Sequence, residues 1–599
     1  MTGPSSSVRI GGACASLGDT SVAAPQLIAA GVDYIMLDYL AEVTMSYMAV
    51  IKRANADAGY ARDFTEWVWK ENLREITRRG VKLVTNAGGT NPVACRDRMM
   101  AIAREQGLNP RIAIIEGEDL VAQAGDFNAA GVREMFSGTE FPDPLRIAGI
   151  NAYLGAFPIA EAFARGADHV ITGRVVDSAL GLAPLIHEFG WTPADYDQLA
   201  SGTLVGHVLE CGAQSTGGLH TDWRDVPDWA HIGYPIAECE ADGSFVLTKP
   251  QGSGGLVTPA TVGEQMLYEI GDPQAYIVPD VVCDFSGVTM TQAGPDQVRV
   301  SAAKGYAPTA TYKVCATYYD GFRATSLTPV LGIDAPAKAQ RQAAAVLTRL
   351  GEMLRDRNLA PFRATRIDVI GAGATYGQDP EQSASREVMV KIAVEHDEEK
   401  AAKLFMREWS APITSMSVGT TTWFGLDAKL LKIVRLFSFL IPKTQVRAVI
   451  DLDGRRTPFE AAQPGVFSPG QIVRPAGPAA PVDEAMVEVP LIKVAWARSG
   501  DKGDSFNVGV IARRPELLPH ISAALTPEHV AKVFAHEFAG ETQPRIDRFD
   551  LPGIHGLNFL LHEALGGGGG ASMRVDMLAK GKAQQLLDQL VRVPASLVQ

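Results

Sequence analysis

Val81-Lys-Leu-Val-Thr-Asn-Ala-Gly-Gly-Thr-Asn-Pro92 is an apolar run that ends in a polar glycine turn, with a helical pattern beyond it. The arrangement recurs through the first 190 residues. Residues 8–10 run into Gly11-Gly12-Ala13, 34–37 end on Asp38, 111–115 end on Glu116, and 169–171 end on Thr172-Gly173-Arg174. Short strands alternating with helices require crossover connections, and these build a mostly parallel sheet. The expected fold class is α/β, with a large, mostly parallel α/β region over residues 1–200.

Beyond residue 200 the pattern continues less regularly. Residues 310–319 and 366–370 read as strands, and 257–270, 335–355 and 396–409 as helices, which predicts a second α/β lobe over 201–455. Six prolines from Pro458 to Pro481 interrupt regular structure and mark 456–484 as a linker or extended strap. The remainder, 485–599, alternates strands and helices as a small α+β unit of ferredoxin-like character.

Composition narrows the function classes. The 599 residues carry 55 basic and 68 acidic side chains, a net charge of −13, and 46% are apolar. Wholesale disorder is excluded, and an acidic chain has no general electrostatic grip on nucleic acid. Six scattered cysteines without a Cys-x-x-Cys pair form neither a disulfide framework nor a zinc ribbon, and suit a reducing compartment. The start, Met1-Thr-Gly-Pro-Ser-Ser-Ser7, lacks a secretory pattern. Residues 430–441, interrupted by Lys432 and Arg435, fall short of the roughly 20 apolar residues of a membrane span. The expected address is the cytoplasm, with neither membrane nor nucleic acid as partner, and the length suggests a homo-oligomer.

In parallel sheets, ligands sit at the carboxyl ends of the strands. Singly, an Asp or Asn after a strand is more commonly a cap for the next helix; five strands ending this way point to a site. Asp38 and Glu116 are candidate acid/base groups there. Gly11, Gly12, Asp19, Asn86, Gly88, Gly89, Asn91, Arg174 and Asp177 are candidate substrate contacts, the glycine turns offering amides to a carbonyl or anion. Gly206-His207-Val-Leu-Glu210-Cys211 adds His207 and Glu210 as further acid/base candidates. His, Glu and Cys are also zinc ligands, and a His–Cys couple makes a thiolate nucleophile, but no partners stand at established spacing. Gln251-Gly-Ser-Gly254-Gly255 precedes a helix in the manner of an anion nest, which adds Gly254. No Walker loop is present, so NTP hydrolysis is rejected. Gly566 to Gly570 reads as a flexible hairpin tip. Ser499-Gly-Asp-Lys-Gly-Asp504 reads either as a tight hairpin or as a contact to the main site or to a neighbouring subunit.

Gly11-Gly-Ala-Cys-Ala-Ser-Leu-Gly-Asp19, Asp38-Tyr-Leu-Ala-Glu42, Asn86-Ala-Gly-Gly-Thr-Asn91, Thr172-Gly-Arg-Val-Val-Asp177 and Ser499-Gly-Asp-Lys-Gly-Asp504 together resemble the acyclic terpene utilisation family AtuA, over essentially the whole chain. The resemblance implies a long domain followed by a ferredoxin-fold domain. It also implies a setting in the catabolism of citronellol- and geraniol-like compounds through branched, unsaturated CoA thioesters. It carries over no catalytic residues.

The reading that joins these strands is a hydro-lyase, adding or removing water at a carbon–carbon double bond of an acyl-CoA or related carboxylate. Asp38, Glu116, His207 and Glu210 are its candidate bases. The CoA moiety belongs to the substrate, no cofactor is assigned, and no residue is singled out as a metal ligand, although a divalent metal is left open. A non-catalytic assembly subunit and a metal-dependent lyase stand as alternatives.

Overall fold

The computed structural model describes residues 7–422, 427–460, 462, 465–478, 485–538 and 543–598. Five strands form the parallel centre of an eleven-stranded sheet: β1 (Val8–Gly12), β2 (Tyr34–Leu37), β3 (Lys82–Thr85), β4 (Ile112–Glu116) and β6 (His169–Thr172), in spatial order β1-β2-β3-β6-β4. All but a few of their side chains are buried, as expected where helices cover both faces. The strand between them in sequence, β5 (Ile147–Ala152), leaves this sheet and pairs antiparallel with Thr311–Leu331.

Antiparallel hairpins build both margins. Ile236–Cys239 pairs with β1 and with Phe245–Thr248, and Thr289–Gly294 with Gln297–Ser301 completes that side. On the other side Ala448–Leu452 pairs with β4 and turns through Asp453-Gly454 into Arg455–Phe459. Both turn residues have positive φ, 56° and 78°, the backbone that a two-residue hairpin of matching twist requires. The expected boundary at residue 200 therefore does not divide the sheets, because strands from 236–301 and 448–459 enter the first one. A hairpin can only add antiparallel strands, which is why the sheet is parallel in its centre and mixed as a whole.

A second sheet has the order Ala364–Ile370, Glu387–His396, Thr311–Leu331, Lys429–Pro442, with β5 alongside. The helices Ala335–Asp356 and Glu399–Glu408 cover it. The suspicious apolar stretch at 430–441 is thus a strand, and among the described residues no helix is long and apolar enough to cross a membrane. The strap after Phe459 runs against the main body, where Arg474 pairs with Asp272 and the Val473 carbonyl accepts from Gln274.

The C-terminal unit holds a four-stranded antiparallel sheet made of two hairpins, Ala495–Lys502 with Ser505–Ala512 and Ile546–Leu551 with Gly556–Leu561. It docks on the main body through buried amides. Asn507 Nδ2 donates to the Leu267 carbonyl at 2.7 Å, and Asn558 Nδ2 donates to the carbonyls of Ile270 and Gly271 at 2.9 and 2.7 Å.

Candidate functional site

Four segments converge at the carboxyl ends of the parallel strands. Asp38 is the first residue beyond β2, and Asn86 the first beyond β3. Asn86 Nδ2 donates to Asp38 Oδ1 at 2.5 Å, while Asn86 Oδ1 accepts the Tyr39 amide at 2.7 Å. Beyond β6, Arg174 donates to Asp177 at 2.5 Å and to the Leu40 carbonyl at 3.1 Å. The Tyr153 ring, just after β5, lies 4.4 Å from the Arg174 guanidinium, and its hydroxyl donates to Glu42 in the first turn of helix α1 (Glu42–Ala54).

Helix α3 (Tyr196–Glu210) crosses α2 (Ala179–Phe189) with almost no gap: a β-carbon on Gly181 would stand 2.5 Å from Gly206 Cα. At its far end a β-carbon on Gly12 would overlap the Leu209 carbonyl. This approach carries His207 and Glu210 to the strand ends. His207 Nδ1 is 3.0 Å from Glu210 Oε1, and His207 Nε2 is 3.1 Å from the Met266 carbonyl. Both ring nitrogens are spent and the ring is buried, so His207 orients Glu210. Glu210 Oε2 is buried without a hydrogen-bond partner.

Burial sets the protonation of this cluster. Asp38 is pushed well above the usual carboxylate range by burial and then by Asp177 and Glu210. Burial likewise raises Asp177, against the pull of Arg174, and Glu210, against the pull of His207. Glu42 behaves oppositely: burial alone would raise it, but Lys313, Arg174 and the Tyr153 hydroxyl hold it low and ionised. Three carboxyls of raised proton affinity thus stand beside the low-lying Glu42 carboxylate and the Arg174 cation.

Other candidates serve the scaffold. Glu116 faces the sheet margin, where Arg456 pairs with it at 2.6 Å, and it does not join Asp38. Asn91 caps Pro92–Glu105 and donates to the carbonyls of Ala56 and Ala58 at 2.8 Å each. Asp19 staples its own loop by accepting from the amides of Ala15 and Thr20. The glycines permit close packing: Gly11 against Leu27, Gly12 against Leu209, Gly88 against the Thr172 carbonyl, Gly89 against Met48 and Gly254 against Asp228. The turn amides of Gly89, Thr90 and Asn91 bond to the carbonyls of Asn86, Gly59 and Gly88. Those of Ser253, Gly254 and Gly255 bond to Pro250, His231 and Pro227. These six amides are spent on carbonyls and do not point at an anion.

A model of the acyclic terpene utilisation family, AtuA, matches residues 8–452, and one of the AtuA ferredoxin-like domain matches 489–592. The chain belongs to the AtuA family. No curated protein and no solved structure matches it.

The two AtuA parts meet at the site. The turn of the first ferredoxin-like hairpin, Asp501-Lys502-Gly503-Asp504, reaches the carboxylate cluster. Burial would lower Lys502, but Glu269, Asp177, Glu210 and Glu42 around it outweigh that and keep it charged. As a whole residue Lys502 is exposed, and Asp177 and Glu42 are partly exposed, so solvent reaches all three. Asp501 is pushed up to about 6 by burial and by Glu269. The Gly566–Gly570 loop, expected as a flexible tip, is a clamp behind this turn. A β-carbon on Gly568 would overlap the Gly503 carbonyl, the amides of Leu565 and Gly567 donate to Asp504, and Arg323 donates to the carbonyls of Gly570 and Ser572.

Lys502, Glu42 and Tyr153 were not among the candidate site residues, and neither was Glu118. The Glu118 carboxyl is buried against Gly173, and burial pushes it up to about 8. Among the described residues no three His, Cys, Asp or Glu side chains are grouped as a metal-ligand set.

Proposed function

We propose that this AtuA protein is a hydro-lyase of acyclic terpene breakdown, acting at a double bond conjugated to a thioester or carboxylate. The observation that carries the reading is the ring of three carboxyls with raised proton affinity, Asp38, Asp177 and Glu210, set around Arg174 and Lys502 at the strand ends.

Hydration of such a bond needs three things. A base takes a proton from water as its oxygen bonds to the β-carbon. A cation stabilises the negative charge that moves onto the carbonyl oxygen, and an acid returns a proton to the α-carbon. Carboxyls tuned upward by burial serve as acid or base near neutral pH, and the two cations supply the electrostatic part. Glu210, with its unpartnered oxygen and its orienting histidine, is the leading proton carrier, and Asp38 is the second. Dehydration is the same path reversed.

The test is mass spectrometry of branched enoyl-CoA and 3-hydroxyacyl-CoA thioesters incubated with the full chain, with and without divalent metal. A mass change of one water that is absent from E210Q supports the reading. An unchanged panel overturns it.

A further inference from the structure

We propose a second ligand site in the cavity between helix α4 (Pro259–Leu267) and the AtuA ferredoxin-like domain, where His220 accepts a hydrogen bond from the hydroxyl of a neutral, mostly hydrocarbon ligand. The cavity measures about 430 Å³, within the range of small-molecule sites. It opens near the first turn of α4, whereas His207 and Glu210 meet the last turn through Met266, so the two sites occupy opposite ends of one helix.

The side chains of His220 and Glu264 are each only 4% exposed, and His220 Nδ1 lies 2.6 Å from Glu264 Oε2. Every other group on the Glu264 carboxylate is also a donor: the Thr221 amide at 3.2 and 3.3 Å and the Thr221 hydroxyl. With an acceptor facing Nδ1, that nitrogen carries the proton of the neutral ring. Nε2 is left with its lone pair for the cavity that His220 lines. A base held by a buried carboxylate is the arrangement by which proteins fix a histidine tautomer for proton exchange or hydrogen-bond recognition.

The rest of the wall selects the ligand. Leu256, Met290, Trp496, Ile511 and Ile554 give it an apolar body. Its one arginine is already used: Arg513 pairs bidentately with Asp222 at 2.6 and 2.7 Å and donates to the Ile492 carbonyl at 3.0 Å. Asp225 adds a negative charge and no further lysine or arginine lines the cavity, so a carboxylate or phosphate is disfavoured. An alcohol meets both conditions, since its chain fills the apolar wall and its O–H donates to Nε2. The inference does not rest on the hydration reading.

Isothermal titration of the full-length protein with octan-1-ol tests it, with octanoate at pH 8 as the charged counterpart. Saturable binding of octan-1-ol is expected, with octanoate weaker by about tenfold or more. Met290→Trp, which fills the cavity from a half-buried wall position, and His220→Phe should each weaken octan-1-ol binding by a similar factor. M290W keeps the test decisive if H220F fails to fold. Absent saturation in the wild type, equal binding of octanoate, or wild-type binding by M290W would overturn the proposal.

Discussion

His207 Nδ1 stands 3.0 Å from Glu210 Oε1 while the Met266 carbonyl holds the opposite ring nitrogen at 3.1 Å. A carbonyl only accepts, so Nε2 carries a proton. Nδ1 therefore receives its hydrogen bond from a protonated Glu210, or the ring shares the proton with it. Glutamine at position 210 would donate to Nδ1 in the same place and keep the ring fixed. Glu210→Gln should thus leave the melting temperature near the wild-type value and reduce turnover by about 10²–10⁴. Full activity of E210Q with the substrate found in the thioester panel would remove Glu210 from the mechanism.

Lys502 comes from the ferredoxin-like hairpin, and its charge is held by the field of Glu269, Asp177, Glu210 and Glu42 of the larger domain. Lys502→Met should lower kcat by about 100-fold, with Lys502→Arg retaining part of it, because what is lost is electrostatic stabilisation rather than packing. Circular dichroism and steady-state kinetics on both variants check this. Equal kcat for K502M and wild type would show that Lys502 has no part in turnover.

Glu118 gives a stability signature with a defined sign. Its carboxyl is pushed from 4.5 up to about 8 by burial, so the folded state holds a proton that the unfolded chain releases. The stabilisation is complete below about pH 4 and is lost as pH rises towards about 8. Glu118→Gln removes that dependence. The melting temperature of E118Q should gain on the wild type between pH 5 and pH 8, then run parallel above pH 9. Parallel curves throughout would place Glu118 in contact with a compensating cation.

Asn558 is fully buried and donates to the carbonyls of Ile270 and Gly271. Asn558→Ala leaves both without a donor in a region closed to water, at a cost of about 2–4 kcal/mol. Differential scanning calorimetry should show a lower melting temperature, with the ferredoxin-like domain parting from the main body first. A loss below about 1 kcal/mol would mean that water reaches those carbonyls.

Much of this site was legible because topology does the gathering. Residues that follow strands of a parallel sheet end on the same rim, so Asp38, Asn86 and Arg174 could be named from strand ends alone, with Asp177 close behind. Glu116 follows the same rule but ends beside the margin hairpin, where Arg456 takes it. That hairpin had a signal, Asp453-Gly454 between two apolar runs, and reading it would have placed 448–459 on the sheet. The glycine turns were legible as places of close approach. What approaches them is backbone or side chain of the same protein, and only tertiary contacts such as Gly12 with Leu209 reveal that. The Lys502 turn was legible only as an open choice between a tight hairpin and a contact to the main site or a neighbouring subunit, because its surroundings are fixed by how two domains dock.

The pairing of β4 with Ala448–Leu452 has a consequence for how the chain is made. Once β6 has been made, and while the ribosome is still adding residues between 173 and 447, β4 has β6 on one side and an open edge on the other. Its buried sequence, Ile112-Ala-Ile-Ile-Glu116, would then be free to pair with another nascent chain. Synthesis must therefore run to the end of that interval before the sheet is sealed, and a pause or truncation within it exposes a ready template for aggregation.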